Sequence, residues 1–309
     1  MTRNIPQQNL SPRAWALLLL LALIWGGSFL SNRAALEEVG VLTTVAFRVG
    51  GAAIVLWGWI FWRGLALPGG RHAGRFLIMG LLNNVIPFTL IVWGQTQVES
   101  GLAAILNAAT AIFAVLLSAL VFADERLTLR KGLGVALGFT GVAMAMGVGH
   151  LFAFDPRSLG QIAILGACLS YACAAAYGRV ALKGLRPEVS AAGMVTGAAL
   201  VMIPLALWRE GVPTFGYAPA TWAALAYLAL MASALAYLLY YAVLQVAGAG
   251  NLSLVTLLIP PFAIALGALV YGEALPLTAY LGFGILALGL LILDGRIGPK
   301  RRARTQESA

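Results

Sequence analysis

Chemistry in this chain must come from a short list of side chains. Among 309 residues there are 11 acidic residues and two histidines, His72 and His150. Both histidines fall in loops, and Asp124, Asp155 and Asp294 lie in loops or at the ends of apolar runs. A serine nucleophile working inside a membrane needs a histidine there, and an intramembrane aspartyl site needs two buried aspartates. Ser28 follows Gly26-Gly27 but has no such partner. Cys168 and Cys173 sit in one apolar run, off a common helical face, so neither a disulfide nor a metal site is expected. Covalent and acid–base catalysis have no visible machinery. The sequence therefore predicts no catalytic residue, no cofactor, no metal and no enzyme.

What remains is binding by amides, hydroxyls and aromatic faces. Trp25, Ser28 and Asn32 follow i, i+3, i+7 and share a helical face. Asn83, Asn84 and Pro87 sit in the middle of a later run, with Trp93 and Gln95 further along, and Asn107 and Thr110 fall in the run after it. Ser170, Ala174 and Tyr177 line one face, with Tyr171 beside them. Ser233, Tyr237 and Tyr241 recur at i+4, flanked by Tyr240. Ser253, Thr256 and the Pro260-Pro261 pair complete the set. Pro87, Pro260 and Pro261 each remove a backbone N–H, and a carbonyl freed near Pro260-Pro261 could accept from a substrate ammonium. Such groups suit a zwitterion or a neutral solute.

Bland readings compete at each position. Serine and threonine in membrane helices commonly bond their own backbone or a neighbouring helix, and Trp and Tyr near run ends anchor at the interface. Asn83, Asn84 and Asn107 are costlier to bury and carry more weight. Arg48 lies about five residues inside an apolar run. The favoured reading is that it snorkels to the outer headgroups or joins two helices; the other is that it approaches a substrate carboxylate. Glu125 and Glu273 stand at run ends, where fixing the following loop outweighs chemistry. The lack of buried acids argues against a proton-coupled carrier of organic cations, and the lack of buried Lys or Arg clusters against a carrier of sugar phosphates.

The elements that position these groups follow from composition. The chain is 61% hydrophobic and 10% charged, against about 25% charged in soluble domains, so much of its surface must meet lipid. Ten runs can span a bilayer: 13–32, 43–62, 75–97, 101–122, 131–149, 159–178, 188–208, 219–245, 250–271 and 277–295. Backbone in lipid must bond internally, so these runs should be helices. The first continues past its Leu17–Leu21 core without a cleavage pattern and is expected to be retained. With the N-terminus inside, 16 Lys and Arg residues fall in inside segments and four outside, as the positive-inside rule requires. Both termini are then cytoplasmic, and the net charge of +9 reads as topology signals rather than nucleic-acid binding.

The chain also repeats. At a shift of 148, Gln97 meets Gln245, Glu125 meets Glu273, Leu133-Gly134 meets Leu281-Gly282, and Gly141 meets Gly289. At a shift of 146, Arg33 meets Arg179. Five helices per half is an odd number, so the second half enters from the other side. The expectation is an all-α integral membrane protein of ten transmembrane helices. Two inverted five-helix repeats, 1–150 and 151–309, surround a central cavity, and a basic cytoplasmic tail closes the second. Inverted repeats give two access states around one midplane site.

"ALIWGGSF" in the first run, "AFRVGGA" entering the second, and Glu then Leu in "DERLT" and "GEALP" after the fourth and ninth runs resemble EamA-type proteins of the drug/metabolite transporter superfamily. The resemblance is greatest to its aromatic amino-acid exporters. It implies alternating-access export of amino acids and related metabolites across the bacterial inner membrane. The implied partners are a small-molecule substrate and the bilayer, and the chain would act as a monomer. The alternatives are a multidrug or organic-cation efflux carrier and a non-transport membrane protein such as a lipid scramblase.

Overall fold

Prolines mark where several helices begin. Pro12, Pro156, Pro187 and Pro219 each open a helix, where the missing N–H is not needed and φ is already set. Ser11 caps the helix that Pro12 opens and Thr128 caps another, their hydroxyls accepting from the Ala14 and Lys131 amides. In the computed structural model, which describes residues 10–297 apart from 68, 124, 126 and 148–155, each of the ten apolar runs is helical over most of its length. No strand occurs among the described residues. Arg3, Asp124, Arg126, His150, Asp155 and the basic tail (Lys300, Arg301, Arg302 and Arg304) lie outside them.

The helices are α1 (Pro12–Ala35), α2 (Val41–Trp62), α3 (Ala73–Gly94), α4 (Ser100–Val121), α5 (Leu129–Met146), α6 (Pro156–Ala181), α7 (Pro187–Glu210), α8 (Pro219–Ala247), α9 (Val255–Tyr271) and α10 (Leu277–Leu293). Seven of them (α1–α4 and α6–α8) are long and apolar enough to cross a membrane, while α9 and α10 are shorter apolar helices. The uncharged connection before α9 is a real turn: Gly248 takes φ +76, a left-handed value that glycine adopts without strain. A single helical turn, Ala249–Leu252, follows it.

Two helices depart from α geometry. α3 is π-helical over Leu81–Val85, and α8 over Tyr227–Leu235. Shifted by 148, the first stretch falls on 229–233, inside the second. Pro87 accounts for part of this in α3. The Ile86 amide bonds five residues back to the Leu81 carbonyl, so the next carbonyl, Leu82, would need an N–H that Pro87 lacks. The Ser170 hydroxyl of α6 donates to it instead, at 2.7 Å.

The packing has a consistent pattern. α5 packs on α10, α2 on α7, α1 on α9, and α4 on α6. α3 touches α6 and α7, and α8 touches α1 and α2. Exchanging each helix for the one five places along leaves these pairings unchanged. In the α5–α10 pair, Gly134 lies against Gly289 and Gly141 against Gly282, so the two helices run antiparallel. A Cβ on Gly282 would stand 2.6 Å from the Gly141 carbonyl oxygen; only glycine permits this approach.

One end of the bundle is sealed by carboxylates acting across long sequence distances. Glu210, closing α7, accepts the Leu42 and Thr43 amides at the start of α2, at 2.9 and 2.8 Å. Glu38, between α1 and α2, accepts the Ala218 amide at 2.8 Å and the Thr221 hydroxyl at the start of α8. Glu273, after α9, accepts the Ser100 and Gly101 amides at the start of α4, at 3.1 and 3.2 Å, and the Arg33 guanidinium. Glu99 pairs with Arg157 at 3.2 Å beside them. Glu210, Glu38 and Glu273 each face the positive end of a helix, whose first N–H groups have no partner within the helix. At the opposite end, Lys131 and Arg179 approach Glu125 at 3.0 and 3.7 Å, and Asp294 accepts from Ser253 at 2.6 Å. The sequence reading of Glu273 as a brace for its own following loop is corrected here. Its carboxylate reaches back to α1 and α4, because the backbone groups in need of an anion are theirs.

Candidate substrate site

The π stretch of α3 and the helix just past the π stretch of α8 meet at a polar cluster inside the bundle. Asn84, fully buried on α3, accepts a hydrogen bond from the Tyr237 hydroxyl of α8 at 2.6 Å. Its Nδ2 is buried without a partner. The neighbouring Asn83 donates to the Met194 sulfur at 3.3 Å and to the Tyr237 oxygen at 3.4 Å. Ser233, 1% exposed, projects from the π stretch of α8. The Ala232 carbonyl of the same stretch accepts from Trp25 Nε1 of α1 at 3.2 Å. Trp25 in turn lies 6.0 Å from the Tyr240 ring, and Tyr240 packs edge-on against Tyr241 at 5.4 Å.

Arg48 enters this cluster from α2. It is 6% exposed and lies seven residues into its helix, about 10 Å along the axis at 1.5 Å per residue. Nε donates to Ser233 Oγ at 2.9 Å, and Nη2 makes a long contact to the Ala232 carbonyl at 3.5 Å. The guanidinium stacks over the Phe88 ring of α3, 3.8 Å from its centroid, a favourable cation–π contact. The Tyr171 and Tyr237 phenols lie within electrostatic reach. Snorkelling, the favoured sequence reading, is thereby corrected. The side chain turns inward to Ser233 and Phe88, and the joining of α2 to α8 is the part of that reading that stands.

The remaining candidates divide. Ser170 sits next to the cluster, holding the Leu82 carbonyl, and Pro87 is buried just past the π stretch. Ser28 donates to the Trp25 carbonyl, Thr110 to the Asn107 carbonyl, and Thr256 to the Ser253 carbonyl, at 2.7, 2.7 and 2.8 Å. These three hydroxyls serve their own helices. Asn107 lies where α4 loosens between Asn107 and Thr110, and its Oδ1 is buried without a partner. Tyr177 is two turns beyond Ser170, and no described hydrogen bond ties it to the cluster. Pro260 is buried and Pro261 exposed within a continuous α9. Asn32 and Gln95 form a separate tie: Asn32 Nδ2 donates to Gln95 Oε1, and Gln95 Nε2 to the Phe29 carbonyl, both at 2.8 Å.

Two cavities lie outside the cluster. One of about 380 Å³ opens at the sealed end, lined by Val41, Leu42, Thr89, Leu90, Trp93, Arg209 and Glu210. The other, about 500 Å³, is an apolar hollow between α2, α7 and α8. No group of three or more metal-ligating side chains occurs among the described residues.

Comparison with known proteins agrees with the membrane architecture. The model of the EamA-like transporter family matches residues 13–147 and again 158–293. The chain is similar to Protein PagO of Salmonella typhimurium, 27% identical over 287 residues, covering 89% of this chain and 91% of that protein. It is 28% identical over 302 residues to a probable terminal-alkyne amino-acid exporter of Streptantibioticus cattleyicolor, covering 96% and 98%. It is also similar to the uncharacterized inner membrane transporter YedA of Escherichia coli, 24% identical over 277 residues and covering 89% of each. One solved structure shares its fold at a TM-score of 0.64 and 18% identity, covering 92% of this chain and 98% of that one.

Proposed function

This chain belongs to the EamA-like transporter family, and from that premise we propose that it exports amino acids, aromatic or large and apolar, and related metabolites by alternating access across a bacterial inner membrane. The observation that carries the reading is the contact between Asn84, in the π stretch of α3, and Tyr237, just past the shift-related π stretch of α8, with the fully buried Asn84 Nδ2 left unpaired. π-Helical stretches loosen the backbone register and recur at functional sites. A buried amide without a partner costs free energy that a ligand can recover. Amide, phenol and ring faces suit the carboxylate, ammonium and side chain of an amino acid, and a probable amino-acid exporter is among the relatives.

Ten passes in two inverted halves, 1–150 and 151–309, are the architecture we propose for the cycle. The interchangeable helix pairings and the antiparallel α5–α10 contact support it. Lys131, Arg179 and Arg296 lie at the end opposite the carboxylate seals, which supports placing that end, and both termini, in the cytoplasm.

Reconstituted into liposomes, the protein should release labelled phenylalanine or tryptophan faster than protein-free vesicles and faster than it releases glycine. Equal rates across an amino-acid panel would sink the substrate assignment. Transport down a gradient should also persist without a proton gradient, since the cluster holds no carboxylate to load with a proton.

A further inference from the structure

A guanidinium has five N–H groups in a planar fork and never loses its charge in a protein. Arg48 finds two acceptors, Ser233 Oγ and the long contact to the Ala232 carbonyl. No described carboxylate pairs with it. The sequence explains why: from 211 to 272 there is no charged residue, and α3 and α6, which bring Phe88 and Tyr171 beside it, carry no acid in their membrane cores. The other described arginines of the helix ends have anions or water to meet. Arg33, Arg157 and Arg179 pair with Glu273, Glu99 and Glu125. Arg48 alone combines deep burial with a neutral surround. A buried charge is tolerated when it is paired, and an ionisable group inside a membrane bundle marks a functional site by default.

We infer that Arg48 is the receptor for a carboxylate on the substrate, with Ser233 and Phe88 holding the guanidinium fork in position. This inference rests on the transport reading above and narrows it. Substrates must carry a carboxylate, and amines, amides and organic cations are excluded because they would place a second positive or neutral group against an unpaired cation. Ser233 fixes Nε and Phe88 fixes the plane, and the Tyr237 phenol, bonded to Asn84, lies near the guanidinium. A carboxylate accepting two parallel N–H bonds from Arg48 would leave its side chain among Trp25, Tyr171 and Tyr240. The unpaired Asn84 Nδ2 supplies a further donor to the same anion. Arg48 and Asn84 Nδ2 offer only donors, which specify an anion for this part of the cluster.

The test uses the full-length protein in two formats, radioligand binding in detergent and counterflow in liposomes. The probes are phenylalanine, phenylalaninamide, phenethylamine and 3-phenylpropionate. Wild type should bind phenylalanine and 3-phenylpropionate at least about tenfold better than the two probes lacking a carboxylate. Arg48→Gln should weaken carboxylate binding on the order of thirtyfold or more and abolish the preference. Arg48→Lys, which keeps the charge and loses the fork, should recover part of it, and it stands in should Arg48→Gln fail to give a monodisperse protein. A merely structural Arg48 would lower all four probes together and leave their ratio unchanged. Equal binding of phenylalanine and phenylalaninamide by wild type, or an unchanged ratio in either variant, overturns the inference. Carboxylate-selective binding without counterflow would sink the export reading and leave Arg48 standing. Counterflow of acid and amide alike would do the reverse.

Discussion

Glu273→Gln should unfasten one end of α4. The carboxylate is 3% exposed and accepts the Ser100 and Gly101 amides together with Arg33. Those two amides belong to the first turn of α4, where no intrahelical acceptor exists, so Glu273 is their protection from water. Glutamine keeps one acceptor oxygen and replaces the other by an NH₂ that faces an N–H. One charge-assisted bond is lost, worth roughly 1.5–3 kcal/mol, and the other falls to neutral strength. The Arg33 pair is partly exposed and adds well under about 1 kcal/mol. A net of about 2–3 kcal/mol shifts the local opening equilibrium between about thirtyfold and 160-fold. Hydrogen exchange in lipid nanodiscs reads this directly, since amide exchange at Ser100 and Gly101 should accelerate by that factor. Amides in the middle of α7 should not change. Unaltered exchange at Ser100 and Gly101 would refute the claim that Glu273 holds this end shut.

Three further outcomes follow from the same contacts. Tyr237→Phe strips Asn84 of its only described acceptor contact and should slow phenylalanine release about tenfold, from the roughly 1–3 kcal/mol cost of an orphaned buried group; Thr256→Val, whose hydroxyl bonds only its own backbone, should change release less than about twofold in the same assay. Gly282→Leu would drive a side chain into the Gly141 carbonyl and should destabilise the protein by about 1–3 kcal/mol or more, read as a lower melting temperature in detergent. The Thr221 hydroxyl and Ala218 amide hold the Glu38 carboxyl below its ordinary value. The contact it makes at the start of α8 is therefore complete above the ordinary carboxylate range and is lost as pH falls through the depressed folded-state value; Thr221→Val should move that loss to higher pH, followed by exchange at the Ala218 amide.

The helices were legible because their signals are local. Apolar runs, opening prolines and Gly248 each act within a few residues, so all ten runs return as helices. That Ser233, Tyr237, Asn83 and Asn84 would come together was legible because polar groups in an apolar run have few places to go. The reading of Arg48 stayed divided, between snorkelling and joining two helices, for a definite reason. A position about five residues inside a run is compatible with reaching outward to headgroups or inward to the bundle, and only the placement of Ser233 and Phe88 on other helices decides. The π stretches were invisible for a similar reason. Pro87 hints at one, but nothing in Tyr227–Leu235 distinguishes it from an ordinary apolar helix, because the extra residue per turn is stabilised by donors from Trp25 and Arg48 on α1 and α2.

The repeat and the structure together say something neither does alone. The sequence makes Glu125 and Glu273 equivalent, and likewise Arg179 and Arg33, and both Arg–Glu pairs form. Both arginines also stack at 4.3 Å on an aromatic ring, Phe122 and Tyr271. Yet Glu273 is 3% exposed and Glu125 38%. Of the two, Glu273 bonds the start of a helix in the other half, and no such bond of Glu125 is found among the described residues. A chain with two equivalent ends can close one of them only by breaking its own symmetry, and this acidic pair carries part of the break, beside Glu38 and Glu210. The latch at α4 is made while its counterpart stays half open to solvent. A conformation closed at the opposite end would require Glu125 to acquire the helix-start contacts that Glu273 now holds, and Glu273 to give them up. In the alternating-access cycle proposed above, the two carboxylates would serve as alternative seals, enclosing by turns the acid-free cluster around Asn84, Tyr237 and the cation Arg48.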